Sequence, residues 1–156
     1  MEKFFGPSTT LVTPRGALVP VQSLKENDLV GLYFSAEWCS ACKRFTPTLV
    51  DAYSQLRSQG KKMEVVFLSG DRTETDFTKY FHQMPWVALP FAQRDIKEAI
   101  EREIGADSLP TLVLIDPCSG AVLSKNGRKV ILEDPCGEGF PWRDLAKKKN
   151  DACCLQ

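Results

Sequence analysis

The stretch Leu29-Val30-Gly31-Leu32-Tyr33-Phe34-Ser35-Ala36-Glu37-Trp38-Cys39-Ser40-Ala41-Cys42 decides how this chain is read. Its first six residues are an apolar, β-prone run of the kind buried inside a sheet. After the second cysteine, Phe45, Leu49, Ala52, Tyr53 and Leu56 recur at helical spacing and Gly60 closes the run, which predicts a helix over 39–58. The two thiols therefore sit one helical turn apart, where a strand hands over to a helix, and can exchange with one disulfide. Pro47 removes a backbone donor inside that helix, so a kink is expected near 43–45.

Outward from this junction the chain alternates. Residues 63–69 read as a second buried strand, and Asp71 or Thr73 is placed to cap a helix that turns Phe77, Tyr80 and Phe81 inward. Met84-Pro85-Trp86-Val87-Ala88-Leu89-Pro90-Phe91 is too proline-punctuated for a helix and reads as a connection. Ile96, Ala99, Ile100 and Ile104 form a helical stripe stopped by Gly105. Residues 111–115 read as a strand, turned by Asp116-Pro117-Cys118-Ser119-Gly120 into a hairpin partner at 121–124. Upstream, residues 10–12 and 17–21 form a short N-terminal β-hairpin whose Pro20 marks an edge strand, and residues 23–28 are a polar helical turn or loop. The pattern predicts an α/β fold with a mixed central sheet flanked by helices on both faces.

The 156 residues suffice for one domain with a real core. Lysine plus arginine and aspartate plus glutamate both number 20, and the resulting net charge of zero argues against general binding to nucleic acid. No run approaches the roughly 18 apolar residues needed to span a bilayer. Met1-Glu2-Lys3-Phe4-Phe5-Gly6-Pro7 lacks the apolar core of a secretory signal, so the expected location is cytoplasmic. Six cysteines in that reducing setting favour redox or metal chemistry over a disulfide scaffold. Zinc wants four ligands, and His82 with Cys118, Cys136, Cys153 and Cys154 offers no second closely spaced pair inside the ordered domain, so no metal site is expected.

A cysteine in the first turn of a helix faces unpaired N–H groups and the positive end of the helix dipole, which favour thiolate over thiol. Cys39 is therefore the nucleophile, and Lys43 or Arg44 would help if either folded back toward it. Cys42, one turn deeper, is placed to attack the mixed disulfide formed at Cys39. Trp38 offers an aromatic docking face beside the reactive sulfur, or else fills a margin of the fold. Cys118 and Cys136 read as incidental exposed thiols, and His82 carries no catalytic assignment.

The segment from Tyr33 to Pro47 resembles the active-site region of the tryparedoxin and nucleoredoxin branch of the thioredoxin superfamily. Residues 80–91 with their Met-Pro-Trp, Leu109-Pro110-Thr111-Leu112, and Phe140-Pro141-Trp142 support the same branch. The resemblance implies a thioredoxin-like fold with Pro110 as a cis proline facing the cysteines. Leu109 would then pair with the extended chain of a substrate. It also implies a thiol-disulfide oxidoreductase that reduces protein disulfides, such as those of peroxiredoxins, with a thiol reductant as donor and no cofactor beyond the Cys39–Cys42 disulfide. The alternative is a redox-responsive interaction module of nucleoredoxin type with little turnover. Where that branch commonly has two prolines between the cysteines, this chain has Ser40-Ala41, so its redox potential is not inherited. Tyr33 replaces the buried aspartate that assists the second cysteine in thioredoxin itself, and Asp71 is the candidate for proton transfer or substrate contact, or else a helix cap.

The resemblance spans about residues 8–143, so residues 1–143 are assigned to one thioredoxin-like domain and 144–156 to a flexible basic tail. Cys153-Cys154-Leu155-Gln156 has the form of a prenylation box, and Lys147–Lys149 supplies an upstream basic stretch. Two readings stand: lipidation at Cys153 with peripheral membrane attachment, or a frayed terminus with two spare thiols.

Overall fold

The computed structural model describes residues 1–147. Its elements run α1 (Glu2–Phe5), β1 (Thr10–Val12), β2 (Leu18–Pro20), a 3-10 turn (Val21–Glu26), β3 (Leu29–Ser35), α2 (Ser40–Ser58), β4 (Met63–Ser69), α3 (Glu74–Phe81), β5 (Val87–Ala88), α4 (Arg94–Ile104), β6 (Thr111–Ile115), β7 (Val122–Ser124) and α5 (Gly127–Glu133). Seven strands make one sheet in the order β2-β1-β5-β4-β3-β6-β7. The pairs β3/β4 and β4/β5 are parallel, whereas β3/β6, β6/β7, β1/β2 and β1/β5 are antiparallel. This is the expected mixed sheet, with the N-terminal hairpin at one margin and Pro20 on its edge strand.

Every residue of β3 is buried, as a strand covered on both faces requires. The two-residue period sends Leu29, Tyr33, Val65, Phe67, Leu112 and Leu114 to one face, where Phe45, Leu49 and Tyr53 of α2 and Phe77, Tyr80 and Phe81 of α3 cover them. Val30, Leu32, Phe34, Val66, Leu68, Val113 and Ile115 point the other way, onto Phe4 and Phe5 of α1, Leu24 of the 3-10 turn, and Ile100 and Ile104 of α4. Gly105 closes α4 in the left-handed conformation, with φ 77°.

The structure departs from the sequence reading in three places. Residues 84–91 are not only a connection, because Val87 and Ala88 form β5, which pairs with β4 and through Val12↔Ala88 joins the hairpin to the sheet. Helices α1 and α5 carry too short an apolar pattern to be read. Helix α5 also opens on a glycine, where a Cβ would lie 2.7 Å from the Leu112 carbonyl oxygen, so only glycine lets the helix sit this close to β6. Residues 144–147 are helical, and Leu145 and Ala146 pack against the core, so the packed chain continues past 143. Cys153 lies outside the described residues.

Candidate active site

At the end of β3 the chain leaves the sheet through Ala36-Glu37-Trp38, and Cys39 becomes the N-cap of α2. The Cys39 sulfur accepts the Cys42 backbone N–H at 3.3 Å. A cap that is a thiol places its sulfur against the orphan donors and positive dipole of a 19-residue helix. Lys43 does not fold back toward Cys39: its Nζ lies 2.9 Å from Glu37 Oε1. That hydrogen-bonded pair holds the Glu37 carboxyl below its ordinary value and the Lys43 ammonium above its own.

The approach loop is pinned from β4. Asp71 is only 4% exposed, and its Oδ1 accepts the Glu37 N–H at 2.7 Å while its Oδ2 accepts the Ser69 hydroxyl at 2.7 Å. The cap of α3 is Thr73, whose hydroxyl accepts the Asp76 N–H, so the capping reading of Asp71 gives way to a loop-holding one. Trp38 donates its indole N–H to the Gly70 carbonyl at 2.9 Å, and the Arg72 guanidinium lies 5.5 Å from its ring centroid. The anchored ring is still 53% exposed, an open aromatic face beside Cys39.

Cys42 is buried and Cys39 partly exposed, both as free thiols. Burial pushes the Cys42 thiol up to about 11, the hydrogen bond with Cys39 adds to the rise, and a hydrogen bond from Ser35 opposes it. Behind Cys42 four buried hydroxyls join. Tyr33 and Thr46 are 2.7 Å apart, Tyr80 and Thr46 2.6 Å, Ser35 and Tyr80 2.7 Å, and Thr46 donates to the Cys42 carbonyl at 2.8 Å. Sequence reasoning gave Tyr80 only a packing role and did not single out Ser35 or Thr46. The one readable signal was Thr46 four residues after Cys42, on the same face of the helix.

The Leu109–Pro110 bond is cis, in line with the resemblance. The Leu109 carbonyl is 3.9 Å from Cys39 Sγ, and Arg128 of α5, stacked over Phe45, donates to the Pro110 carbonyl at 3.3 Å. A cleft of about 440 Å³ opens here, lined by Trp38, Cys39, Gly70, Lys97, Asp107 and Leu109 among others. Thus Trp38, Cys39 and Leu109 come together around one opening, while Pro110 and Cys42 are buried next to them in the chain. Cys118 and Cys136 are exposed and line no part of it, and His82 is exposed at the end of α3. Among the described residues no three His, Cys, Asp or Glu side chains cluster as metal ligands.

A strand-to-helix dithiol facing a cis proline on a mixed sheet defines a thioredoxin-like protein. The thioredoxin-like family model matches residues 27–122, and the chain belongs to that family. Within it, the chain falls in the branch that holds tryparedoxins and nucleoredoxins. It is 39% identical over 142 residues to tryparedoxin of Trypanosoma brucei brucei, a match covering 91% of this chain and 96% of that protein. To nucleoredoxin of Bos taurus it is 40% identical over 125 residues, 78% of this chain, and spans only 28% of that longer protein. The solved tryparedoxin from Trypanosoma brucei superposes with a TM-score of 0.83 at 40% identity, over 90% of this chain and 95% of that one. Native tryparedoxin I from Crithidia fasciculata gives 0.83 at 39% identity, over 92% and 97%.

Proposed function

We propose that this chain is a thiol-disulfide oxidoreductase that reduces protein disulfides, those of peroxiredoxin-type peroxidases among them, by cycling Cys39 and Cys42 between dithiol and disulfide. The observation that carries this reading is the Cys39 sulfur capping α2 at the open cleft, with the Cys42 thiol buried directly behind it. In the first step the Cys39 thiolate attacks a substrate disulfide. The substrate S–S bond breaks, a mixed disulfide forms, and the first substrate sulfur leaves as a thiolate and takes up a proton. In the second step Cys42 gives up its proton and attacks Cys39 Sγ, the second substrate sulfur leaves, and the Cys39–Cys42 disulfide forms. Two electrons have then passed to the substrate, and a thiol reductant restores the dithiol. The cysteine pair is itself the redox group, so the cycle needs no further cofactor.

The Trp38 face and the Leu109-Pro110 backbone position the substrate strand beside Cys39. The tryparedoxin match, which runs nearly the full length of both chains, supports the turnover reading over a pure interaction module. Purified protein should reduce insulin disulfides with a dithiol as donor, and Cys42→Ser should accumulate mixed disulfides through Cys39. Failure of both measurements would overturn the reductase in favour of the redox-responsive module of nucleoredoxin type.

A further inference from the structure

Strand β5 ends before β4 does, and this leaves one carbonyl of β4 to be satisfied from elsewhere. The Leu89 N–H donates to the Phe67 carbonyl at 3.1 Å, and two residues further the Ser69 carbonyl faces the same edge. The chain does not follow it, because it turns at Pro90, whose carbonyl takes the Gln93 N–H at 3.0 Å. Arg94, the first residue of α4, supplies the donor instead. Its Nη1 donates to the Ser69 carbonyl at 2.8 Å and its Nε to the Phe91 carbonyl at 2.7 Å, with the guanidinium 4.2 Å from the Phe91 ring centroid. A half-buried, rigid fork bonded to two backbone carbonyls joins two segments of chain. Both segments belong to the cleft. Ser69 opens the stretch in which Gly70 donates its N–H to the Ser35 carbonyl at 2.8 Å, Gly70 accepts the Trp38 indole, and Asp71 accepts the Glu37 N–H. A Cβ on Gly70 would lie 3.1 Å from Leu109 Cδ1, so this stretch also sits close against Leu109. Helix α4 carries Lys97 and Glu101, paired at 2.6 Å, which line the same cleft one and two turns after Arg94.

We propose that Arg94 is a positioning residue for the disulfide substrate: it clamps the wall of the cleft on α4 to the stretch 69–71 that carries Gly70 and anchors Trp38. The proposal rests on the reductase reading above. Arg94 acts through Ser69, Gly70 and Trp38 on the surface that receives the substrate strand. Without its two bonds, the Ser69 carbonyl has no donor on the β5 side, and Gly70 with the Trp38 ring shifts against Leu109 and the Lys97–Glu101 pair. The sulfur of Cys39 is held separately, by the Cys42 N–H at the cap of α2, so its own reactivity does not depend on Arg94. Loss of the clamp therefore weakens substrate binding and leaves the thiol chemistry in place.

Three measurements on Arg94→Met, which keeps a long stem beside Phe91 but no donor, test this. In insulin reduction with a dithiol donor, KM for insulin should rise roughly tenfold while kcat stays within about twofold, the signature of lost binding. Alkylation of Cys39 by iodoacetamide, localised by peptide mass spectrometry, should keep its rate. Acrylamide quenching of tryptophan fluorescence should steepen: Trp86 and Trp142 are buried, so the quenching reports on Trp38, which is then free to leave the Gly70 carbonyl. Arg94→Lys keeps the charge and one donor and should recover part of the loss, with KM roughly threefold above the parent. An unchanged KM with unchanged quenching, even in a variant that urea denaturation shows to be less stable, would make Arg94 a brace of the fold alone and overturn the proposal. A Cys39 alkylation rate that falls as far as turnover would overturn it too, by placing the fault at the thiol. If Arg94→Met does not fold, Arg94→Lys is read in the same three ways with the same signs. Quenching and alkylation need no turnover. If insulin is not reduced at all, steeper quenching at an unchanged alkylation rate still upholds the clamp, and unchanged quenching still overturns it.

Discussion

On one face of the sheet, Phe34, Leu68, Val113 and Ile115 meet Phe5, Leu24, Ile100 and Ile104, hydrocarbon against hydrocarbon. On the other, Tyr33, Ser35, Thr46 and Tyr80 thread four hydroxyls through aromatic packing that includes Trp86, set edge-on to Tyr33 at 6.0 Å. Both faces exclude water, yet only the second lies against Cys42. Burying a hydroxyl is unfavourable unless it finds a partner, and this cluster finds its partners within itself and at the Cys42 carbonyl. The aliphatic face needs only volume and shape.

The largest expected difference follows from that division. Ile100→Ala on the aliphatic face deletes a fully buried side chain and should lower unfolding free energy by about 3 kcal/mol, read by urea denaturation. Turnover per folded molecule should stay unchanged. A fall in turnover among the folded molecules would show that the two faces are not functionally separate.

Asp71→Ala should come next, at about 2 kcal/mol, because it strands the Glu37 N–H and the Ser69 hydroxyl that the carboxylate now accepts. Here disulfide reduction should fall with stability, since Glu37 leads directly into Trp38 and Cys39. Asp71→Asn, which keeps one acceptor, should recover most of both. Loss of stability with an unchanged rate would sever this residue from the site.

How much of this was legible follows from range. The strand-to-helix dithiol, the buried runs of β3 and β4, the α2 stripe and the Gly105 stop depend on neighbours within a few residues, and the sequence displays them. Strand β5 is two residues between prolines and exists only because β4 and β1 supply its partners. Asp71 reads as a cap until Glu37, 34 residues away, is placed against it. The bond between Ser35 and Tyr80 spans 45 residues, and no local pattern announces it. Trp86 and Trp142, which stand in two of the segments that support the resemblance, turn out to be buried. Trp86 stacks edge-on against Tyr33 and Tyr53, and Trp142 donates to Asp134. They identify the branch by building its core.

The smallest effect is the most discriminating within the polar face. Tyr33→Phe removes one of the two donors to Thr46 but leaves Tyr80 as the other, so no buried group loses its last partner. The ring keeps its edge-on contacts with Phe45 and Trp86, both at 6.0 Å. The cost should be about 1 kcal/mol, the net worth of one neutral hydrogen bond. Disulfide reduction should stay where it is, because the Thr46 hydrogen bond to the Cys42 carbonyl is intact. The Thr46 hydrogen is on the Cys42 carbonyl, so Tyr33 and Tyr80 both donate to Thr46, but only Tyr80 also receives the Ser35 hydrogen; Tyr80→Phe therefore strands Ser35 and should cost more than Tyr33→Phe although the two delete the same atom. Equal losses of stability in the two variants, read by urea denaturation, would mean that the cluster has no direction and that the Ser35 hydroxyl does not depend on Tyr80.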